Sequence, residues 1–314
     1  KLIVSQPRIT FDLLKISRNC DLIMFYSQAE LFTLPILVSK LLLRKKVVII
    51  HTGNQSISYS VLYRNKLGGL GRIIPFILRL LERIAFSATD RIVVESDNVI
   101  KLMSLENYND KIRIGVYYYV NNNTFKATKD LMNRPNVVGY MGNFSEFKGA
   151  VNFTKAIPLI LAGQDDMQFL MMGGTGTEFR RVETALKQSN SLDKVTLLGS
   201  TPHEEVAKYL NELKLLVLPS YSEGIPKIVL EAMACGTPVL ATPVGGIPYV
   251  VKDEETGFIL EDNSPECIAR NIIRVLEYPK LDEIIENAHA LVEREYTYEP
   301  TLKRWKEAFH LWGA

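Results

Sequence analysis

Residues 215–246 read LLVLPSYSEGIPKIVLEAMACGTPVLATPVGG, and this stretch decides the fold class. The apolar run 215–219 predicts a strand, residues 220–225 predict a loop, and Pro226 predicts the start of a helix, since proline in the first helical turn sacrifices no hydrogen bond. The unpaired N–H groups of that turn and the positive end of the helix dipole are expected at the carboxyl edge of the sheet. Ligands bind at this edge in open α/β folds, so the stretch predicts an anion-binding site.

Short apolar runs alternate with amphipathic stretches, such as 179–188 and 204–213, along the whole chain. Strands that are buried on both faces of a parallel sheet have this near-continuous apolar pattern. Alternating strands and helices predict an α/β fold with right-handed crossovers. The predicted strands are residues 22–26, 46–50, 91–95, 111–116, 137–142, 168–173, 195–199, 215–219, 238–242 and 257–260.

The bulk composition narrows the function classes. A chain of 314 residues is long enough for two domains, and a formal net charge of +2 argues against nucleic-acid binding. Cys20, Cys235 and Cys267 lie far apart, which argues against a disulfide framework or a zinc site and fits a reducing compartment. The longest apolar stretch, 31–43, is interrupted and too short to span a bilayer, so we expect a cytoplasmic protein.

The polar segment 121–136, NNNTFKATKDLMNRPN, predicts a domain boundary. We expect a first domain over residues 1–133, a second over residues 134–295, and a C-terminal helix over residues 296–314 that crosses back to the first domain. Trp305, Phe309 and Trp312 follow the spacing of one helix face. That spacing favours core packing over ligand contact.

Two acids lie near the start of the helix that Pro226 opens. Glu223 precedes this helix, and Glu231 lies inside it, eight positions later. Acids at a helix N-terminus can simply satisfy the helix dipole. Glu231, however, is embedded in the apolar run IVLEAMAC, where an ionised carboxylate is costly unless it accepts hydrogen bonds. We therefore expect a hydroxyl of a sugar or ribose to be its partner.

The spacing of these two acids, followed by AMACGTPVLATPVGG, resembles the signature of glycosyltransferase family 4, the retaining GT-B enzymes. Upstream, GYMGNFSEFKG (139–149), MMGGTGTEFRRVE and VTLLGSTPHEEV resemble further loops of that family, and GGIPYVVKDEETGFIL resembles its closing loop and strand. The resemblance implies two Rossmann-like parallel-sheet domains that face each other across a cleft. It also implies that the first domain lacks its initial strand–helix units.

The resemblance assigns roles to particular residues. Lys148 would neutralise the departing diphosphate, Glu223 would contact the donor sugar, and Glu231 would bind the ribose of the nucleotide. His51, in an HTG context at the end of a strand, would face the donor sugar and the acceptor. The implied donor-binding residues are Gly142, Asn143, Lys148, Gly199, Glu223, Gly224, Ile225, Pro226, Lys227, Ile228 and Glu231.

The implied function is retaining transfer of a hexose from a nucleotide diphosphate sugar to a glycan or lipid-linked acceptor. A GT-B glycoside phosphorylase and a non-catalytic sugar-nucleotide binding subunit remain as alternatives. We expect no cofactor and no metal, because the second domain has no paired acidic loop. The glycine-rich turn 173–176 lacks the third glycine of a dinucleotide fingerprint, which argues against a dehydrogenase.

The stretch 63–85, YRNKLGGLGRIIPFILRLLERIA, mixes basic and large apolar residues. One interpretation is a core helix with a solvated basic edge. The other is a helix that attaches the enzyme peripherally to the cytoplasmic face of a membrane, near a lipid-linked acceptor.

Overall fold

A computed structural model of the chain describes residues 2–26, 29–51, 70–95, 97–102, 104–115, 118–174 and 176–309. The chain divides into two compact units, which are described separately below. The first unit comprises Lys1–Tyr117 and Lys303–Ala314, and the second comprises Tyr118–Leu302.

The first unit contains a parallel sheet with the strand order β1-β2-β3-β4. Its strands pair in register, with Leu22 opposite Lys46 and Ile92 opposite Ile112. The sheet interior consists of valine and isoleucine, whose branched side chains suit a buried pleated surface. The strands are β1 (Leu22–Tyr26), β2 (Lys46–Ile50), β3 (Arg91–Val94) and β4 (Ile112–Ile114). The helices are α1 (Leu2–Ile16), α2 (Thr33–Leu37, continued by a π-helical turn over Val38–Leu42), α3 (Leu70–Ala88) and α4 (Asp97–Leu102).

The second unit contains a parallel sheet with the strand order β10-β9-β8-β5-β6-β7. The strands are β5 (Val137–Met141), β6 (Gln168–Met172), β7 (Val195–Leu198), β8 (Leu215–Leu218), β9 (Val239–Ala241) and β10 (Phe258–Ile259). The helices are α5 (Ala150–Leu161), α6 (Phe179–Gln188), α7 (His203–Leu210), α8 (Lys227–Ala234), α9 (Ile247–Val250), α10 (Pro265–Leu276) and α11 (Leu281–Glu295). The expectation of two α/β domains with parallel sheets is confirmed.

The strand order of the second unit creates a topological switch point. From β5 the chain continues to β6 and β7 on one side, and it then returns to β8, β9 and β10 on the other. The carboxyl ends of β5 and β8 are therefore neighbours, and the loops that leave them diverge. In open α/β sheets, ligands bind in the crevice at such a point.

The last helix, α12 (Tyr298–Phe309), ends in the first unit. Trp305 and Phe309 stack on each other, with ring centroids 5.5 Å apart. They pack on Val48, Ile50 and Val93 of the first sheet, in agreement with core packing of the aromatic face. Trp312 lies outside the described residues.

The polar segment 121–136 lies on the second unit, and the division between the units falls earlier than the expected boundary at residue 133. Residues before 134 contact this unit, since the side chain of Asn211 accepts from the N–H of Thr128 and donates to the carbonyl of Lys126. The buried guanidinium of Arg134 also donates hydrogen bonds to the carbonyl oxygens of Leu210 and Cys235. These contacts fix the segment to the ends of α7 and α8.

Candidate functional site

The loops that follow β5 and β8 meet at the switch point. Gly149 has a φ of +70° at the start of α5, and a Cβ there would collide with the carbonyl oxygen of Pro219. The backbone N–H of Tyr221 donates to the carbonyl of Phe147 at 2.8 Å. A residue with a side chain at position 149 would force the loops apart, so the glycine permits this close approach.

An ion pair joins the two loops. The Nζ of Lys148 lies 2.7 Å from Oε1 and 2.6 Å from Oε2 of Glu223. The hydroxyl of Ser220 also donates to Oε1 of Glu223, at 2.7 Å. The Glu223 side chain is only 6% exposed, whereas that of Lys148 is 31% exposed. An anion that enters from solvent can therefore reach the lysine, but it must compete with a carboxylate for it.

The turn formed by Gly245 and Gly246 packs against the Glu223 loop. Gly245 has a φ of +57°, and a Cβ there would collide with the carbonyl oxygen of Glu223. The N–H of Gly246 donates to the carbonyl of Gly224 at 3.1 Å. On the other side the hydroxyl of Tyr118 donates to the carbonyl of Ile225. These contacts hold the backbone of the loop in place.

The helix α8 begins directly after this loop. Pro226 is its N-cap residue, with an extended backbone (φ −70°, ψ 124°), and Lys227 and Ile228 form the first turn. N–H groups in a first helical turn have no intrahelical partner, and the helix dipole places partial positive charge there. The predicted loop-to-helix transition at Pro226 is confirmed.

Glu231 is buried in α8, with a side chain that is 3% exposed, and two protein side chains contact it. Its Oε1 lies 2.6 Å from Nε2 of His203 and 3.5 Å from Nζ of Lys227. Burial raises the pKa of this carboxyl, while the hydrogen bond and charge of His203 and the charge of Lys227 oppose the increase. Two protein side chains thus contact Oε1 of Glu231, and its role toward the ribose of a nucleotide stays a prediction.

His203 was missed as an individual residue by the sequence reasoning. It is the first residue of α7 and follows the loop after β7, at the same edge of the sheet as Lys148 and Glu223. The available signal was its position, since a polar residue soon after a parallel strand lies near the ligand edge. Its pairing with a glutamate 28 positions away leaves no local trace in the sequence.

The other predicted donor-binding residues occupy the same edge of the sheet. The N–H of Gly142 donates to the carbonyl of Met172 at 2.9 Å, so the Gly142–Asn143 turn continues the alignment of β5 with β6. A Cβ at Gly173 would collide with the carbonyl of Gly142, which explains the first glycine of the turn 173–176 by loop packing. Gly199 directly follows β7, and a Cβ there would meet no atom within 4 Å.

His51 belongs to the first unit and directly follows β2; its role toward the donor sugar and the acceptor stays a prediction. Its side chain is fully buried, with Nε2 3.8 Å from Oε1 of Glu82 and the ring edge-on to Phe86. Burial raises the pKa of Glu82 to about 7, and the charge of Glu30 adds to the shift. Burial likewise raises the pKa of Glu30 to about 7. His51 is thus buried in the first unit, beside Glu82 and Phe86.

The described residues offer neither a cluster of metal ligands nor a helix that could span a membrane. They contain no group of three or more His, Cys, Asp or Glu side chains that could hold a metal ion. Within the same residues, every helix is too short or too polar to cross a membrane.

Comparison with known proteins gives a family match over the second unit. The model of the family "Glycosyl transferases group 1" matches residues 121–291. An uncharacterized glycosyltransferase of Methanocaldococcus jannaschii is 29% identical over 158 residues, which is 50% of this chain and 45% of that protein. The chain therefore spans less than half of the length of this relative.

Two solved structures share the fold. Sucrose-phosphate synthase from Thermosynechococcus elongatus superposes with a TM-score of 0.79 at 24% identity, covering 99% of this chain and 79% of the synthase. HepE from Anabaena, solved in complex with UDP and glucose, superposes with a TM-score of 0.78 at 16% identity, covering 99% and 83%. The two parallel-sheet domains are those of the GT-B fold.

Proposed function

Since the chain belongs to the glycosyl transferases group 1 family, we propose that it transfers a hexose from a nucleotide diphosphate sugar to a glycan or lipid-linked acceptor, with retention at the anomeric carbon. The observation that carries the proposal is the ion pair between Lys148 and Glu223 at the switch point of the second sheet. This pair supports the proposal, because a cation suited to a phosphate lies next to an acid suited to the hydroxyls of a sugar.

The proposed chemistry follows from where charge develops. As the bond to the anomeric carbon breaks, negative charge grows on the departing diphosphate. Lys148 and the N-terminus of α8 supply fixed positive charge for it, and such preorganised groups stabilise the transition state. Once the diphosphate holds Lys148, the carboxylate of Glu223 can accept hydrogen bonds from hydroxyls of the donor sugar.

The remaining roles complete the proposal. Glu231 binds the ribose of the nucleotide from inside α8. No residue serves as a covalent nucleophile; instead, an oxygen of the leaving phosphate takes the proton of the acceptor on the same face of the sugar. The positive groups at the diphosphate stand in place of a metal ion, so the reaction needs neither a metal nor another cofactor.

A membrane surface is the proposed location of the acceptor. Helix α3 exposes Phe76 by 70%, Ile77 by 45% and Leu80 by 50%, next to the exposed residues Arg79 and Arg83. Apolar side chains flanked by arginine suit the interface of an anionic bilayer. The part of the stretch 63–85 that precedes residue 70 lies outside the described residues. We propose that α3 attaches the enzyme reversibly to the cytoplasmic membrane surface.

Vesicle sedimentation tests this location. The double variant Phe76→Ser, Leu80→Ser should lose binding to anionic vesicles. Met132→Ser, which changes a residue 81% exposed in the second unit, should retain it. If all three proteins stay in the supernatant at low salt, a soluble acceptor becomes the better proposal.

The donor site is tested by thermal shift with UDP-, GDP- and ADP-sugars. A ligand that binds only the folded chain raises its melting temperature, so at least one donor should do so, and Lys148→Ala should abolish the shift. Lys155→Ala, on the exposed side of α5, is the matched control and should behave as wild type. Absence of any shift, together with absence of hydrolysis and transfer, would refute the proposed function. A shift without turnover would support the non-catalytic alternative, and sugar phosphate as product would support the phosphorylase.

A further inference from the structure

The carboxylate of Glu231 is held on one side only. Both of its neighbours, His203 and Lys227, approach the same oxygen, Oε1. Its other oxygen, Oε2, accepts no hydrogen bond from the residues that the structure describes. The carboxylate is therefore oriented by protein groups and still has one oxygen left for a ligand.

The two neighbours are not equivalent. The 2.6 Å contact from His203 is a short hydrogen bond, whereas Lys227 at 3.5 Å is at the limit of one and its side chain is 41% exposed. An exposed lysine at that distance contributes little to orientation, because solvent competes for its charge. The orientation of Glu231 thus depends mainly on His203.

His203 is itself held in place. Its ring lies 5.0 Å from the ring of the buried Phe125, in a tilted arrangement. The segment that carries Phe125 is fixed by Asn211, whose side chain accepts from the N–H of Thr128 and donates to the carbonyl of Lys126. The other side of the imidazole is open, since the side chain is 53% exposed. A ring that is packed on one side and open on the other can keep its position while a ligand enters.

We propose that His203 is a positioning residue of the nucleotide site, which holds Oε1 of Glu231 so that Oε2 faces the ribose hydroxyls. This inference rests on the proposed function, because it assumes that Glu231 meets a nucleotide. It makes His203 a determinant of the preference for ribose over deoxyribose. A carboxylate oxygen can only accept hydrogen bonds, and an oriented one accepts from a ribose hydroxyl that a deoxyribose lacks.

The consequence for specificity is asymmetric. A ribonucleotide pairs with Oε2, but a deoxynucleotide leaves a desolvated carboxylate oxygen without a partner, and such a loss is more costly than the pair is favourable. Without His203 the carboxylate can turn away from the ligand or take up a proton. It then no longer distinguishes the two sugars.

The test is isothermal calorimetry on the full chain with UDP, GDP and ADP, their 2′-deoxy and 3′-deoxy forms, and inorganic pyrophosphate. Pyrophosphate serves as a probe of the Lys148 end of the site, which Glu231 does not contact. In the wild type we expect the best ribonucleotide to bind about tenfold or more tightly than at least one of its deoxy forms. In His203→Ala this ratio should fall below about threefold, while affinity for the deoxy form and for pyrophosphate stays the same.

Two further variants keep the test decisive. His203→Gln retains an N–H donor, so it should preserve part of the discrimination. His289→Ala, which changes a half-buried histidine on α11, should leave all affinities unchanged.

The results that would overturn the inference differ from the result that would overturn the proposed function. Full discrimination in His203→Ala overturns the inference, and so does an equal loss for ribonucleotide, deoxynucleotide and pyrophosphate, which would indicate a purely structural role. If His203→Ala does not fold, His203→Gln decides. Equal affinities of His203→Gln for the ribonucleotide and its deoxy form would overturn the role of the N–H donor. If the wild type binds none of UDP, GDP and ADP better than pyrophosphate, the proposed function fails before the inference is reached.

Discussion

Arg134→Met should destabilise the second unit strongly, although the residue lies far along the chain from either glutamate of the candidate site. The guanidinium is 4% exposed. Its N–H groups donate to the carbonyls of Lys129 (from Nε and Nη2), Leu210, Leu213 and Cys235 and to the hydroxyl of Thr237. Since Nη1 has two N–H groups and three of these acceptors, one of its N–H groups is shared. Methionine fills a similar volume and offers none of these donors.

The magnitude follows from which acceptors lose their partner. The carbonyl of Leu210 keeps hydrogen bonds from Thr237 and from the N–H of Leu213. The carbonyls of the fully buried residues Leu213 and Cys235 keep none among the described hydrogen bonds. Each unpaired buried acceptor costs about 1–3 kcal/mol. Removing a buried charge, whose desolvation lowers the pKa of Arg134, offsets part of that cost, so we expect a net loss of about 3 kcal/mol.

Scanning calorimetry of the full chain measures the effect. For a unit of this size, each kcal/mol lowers the melting temperature by roughly 2–4 °C, so the transition of the second unit should fall by about 6–12 °C. Arg270→Met is the matched control, because that side chain is 63% exposed in its ion pair with Glu261, and its loss should cost less than about 0.5 kcal/mol. Equal melting temperatures for the two variants would refute the reasoning.

Three further predictions concern charge. Burial raises the pKa of Glu30 and Glu82 from 4.5 to about 7. Between these pH values the folded chain binds more protons than the unfolded chain. Its free energy of unfolding should therefore fall as the pH rises from 4.5 to 7. Urea unfolding at pH 5 to 8 should show this slope, worth up to about 3 kcal/mol per group, and a slope unchanged in Glu82→Gln would contradict it. Glu223→Gln should tighten binding of a nucleoside diphosphate several-fold, because Lys148 loses its competing carboxylate, while transfer is lost; calorimetry and product analysis check both parts. Activity should survive EDTA, and its abolition followed by rescue with Mn²⁺ or Mg²⁺ would show that a metal serves the diphosphate.

The sheets were predictable from the sequence because their strands are buried on both faces. Each predicted strand is present, and the ends differ by at most two residues. In β2, for example, residues 47–50 are all buried, so the apolar run in the sequence coincides with the strand. The helix start near Pro226 was also predictable from the local sequence, because proline has a fixed φ and no backbone N–H and is therefore favoured at the start of a helix.

The partners of the acids were not predictable in this way. Glu231 gave a correct signal of burial, but its neighbour His203 is 28 positions away and belongs to another helix. Glu30 was not identified as buried, because it lies at the edge of the apolar stretch 31–43 and the packing of α3 against residues 29–31 encloses it. Pairing between distant elements depends on tertiary packing, which a pattern of local periods does not encode.

Glu223 and Glu231 are therefore better understood as members of pairs than as isolated acids. Glu223 pairs with Lys148 from the loop after β5, and Glu231 pairs with His203, the first residue of α7. In each pair the acid is nearly buried and its partner is partly exposed, so an incoming ligand meets the partner first. A nucleotide diphosphate has both the negative charge to draw Lys148 away and the hydroxyls to satisfy the carboxylate that is left. Because neither pair alone provides both functions, the spacing of eight residues along α8 and its preceding loop sets the distance over which one ligand must extend.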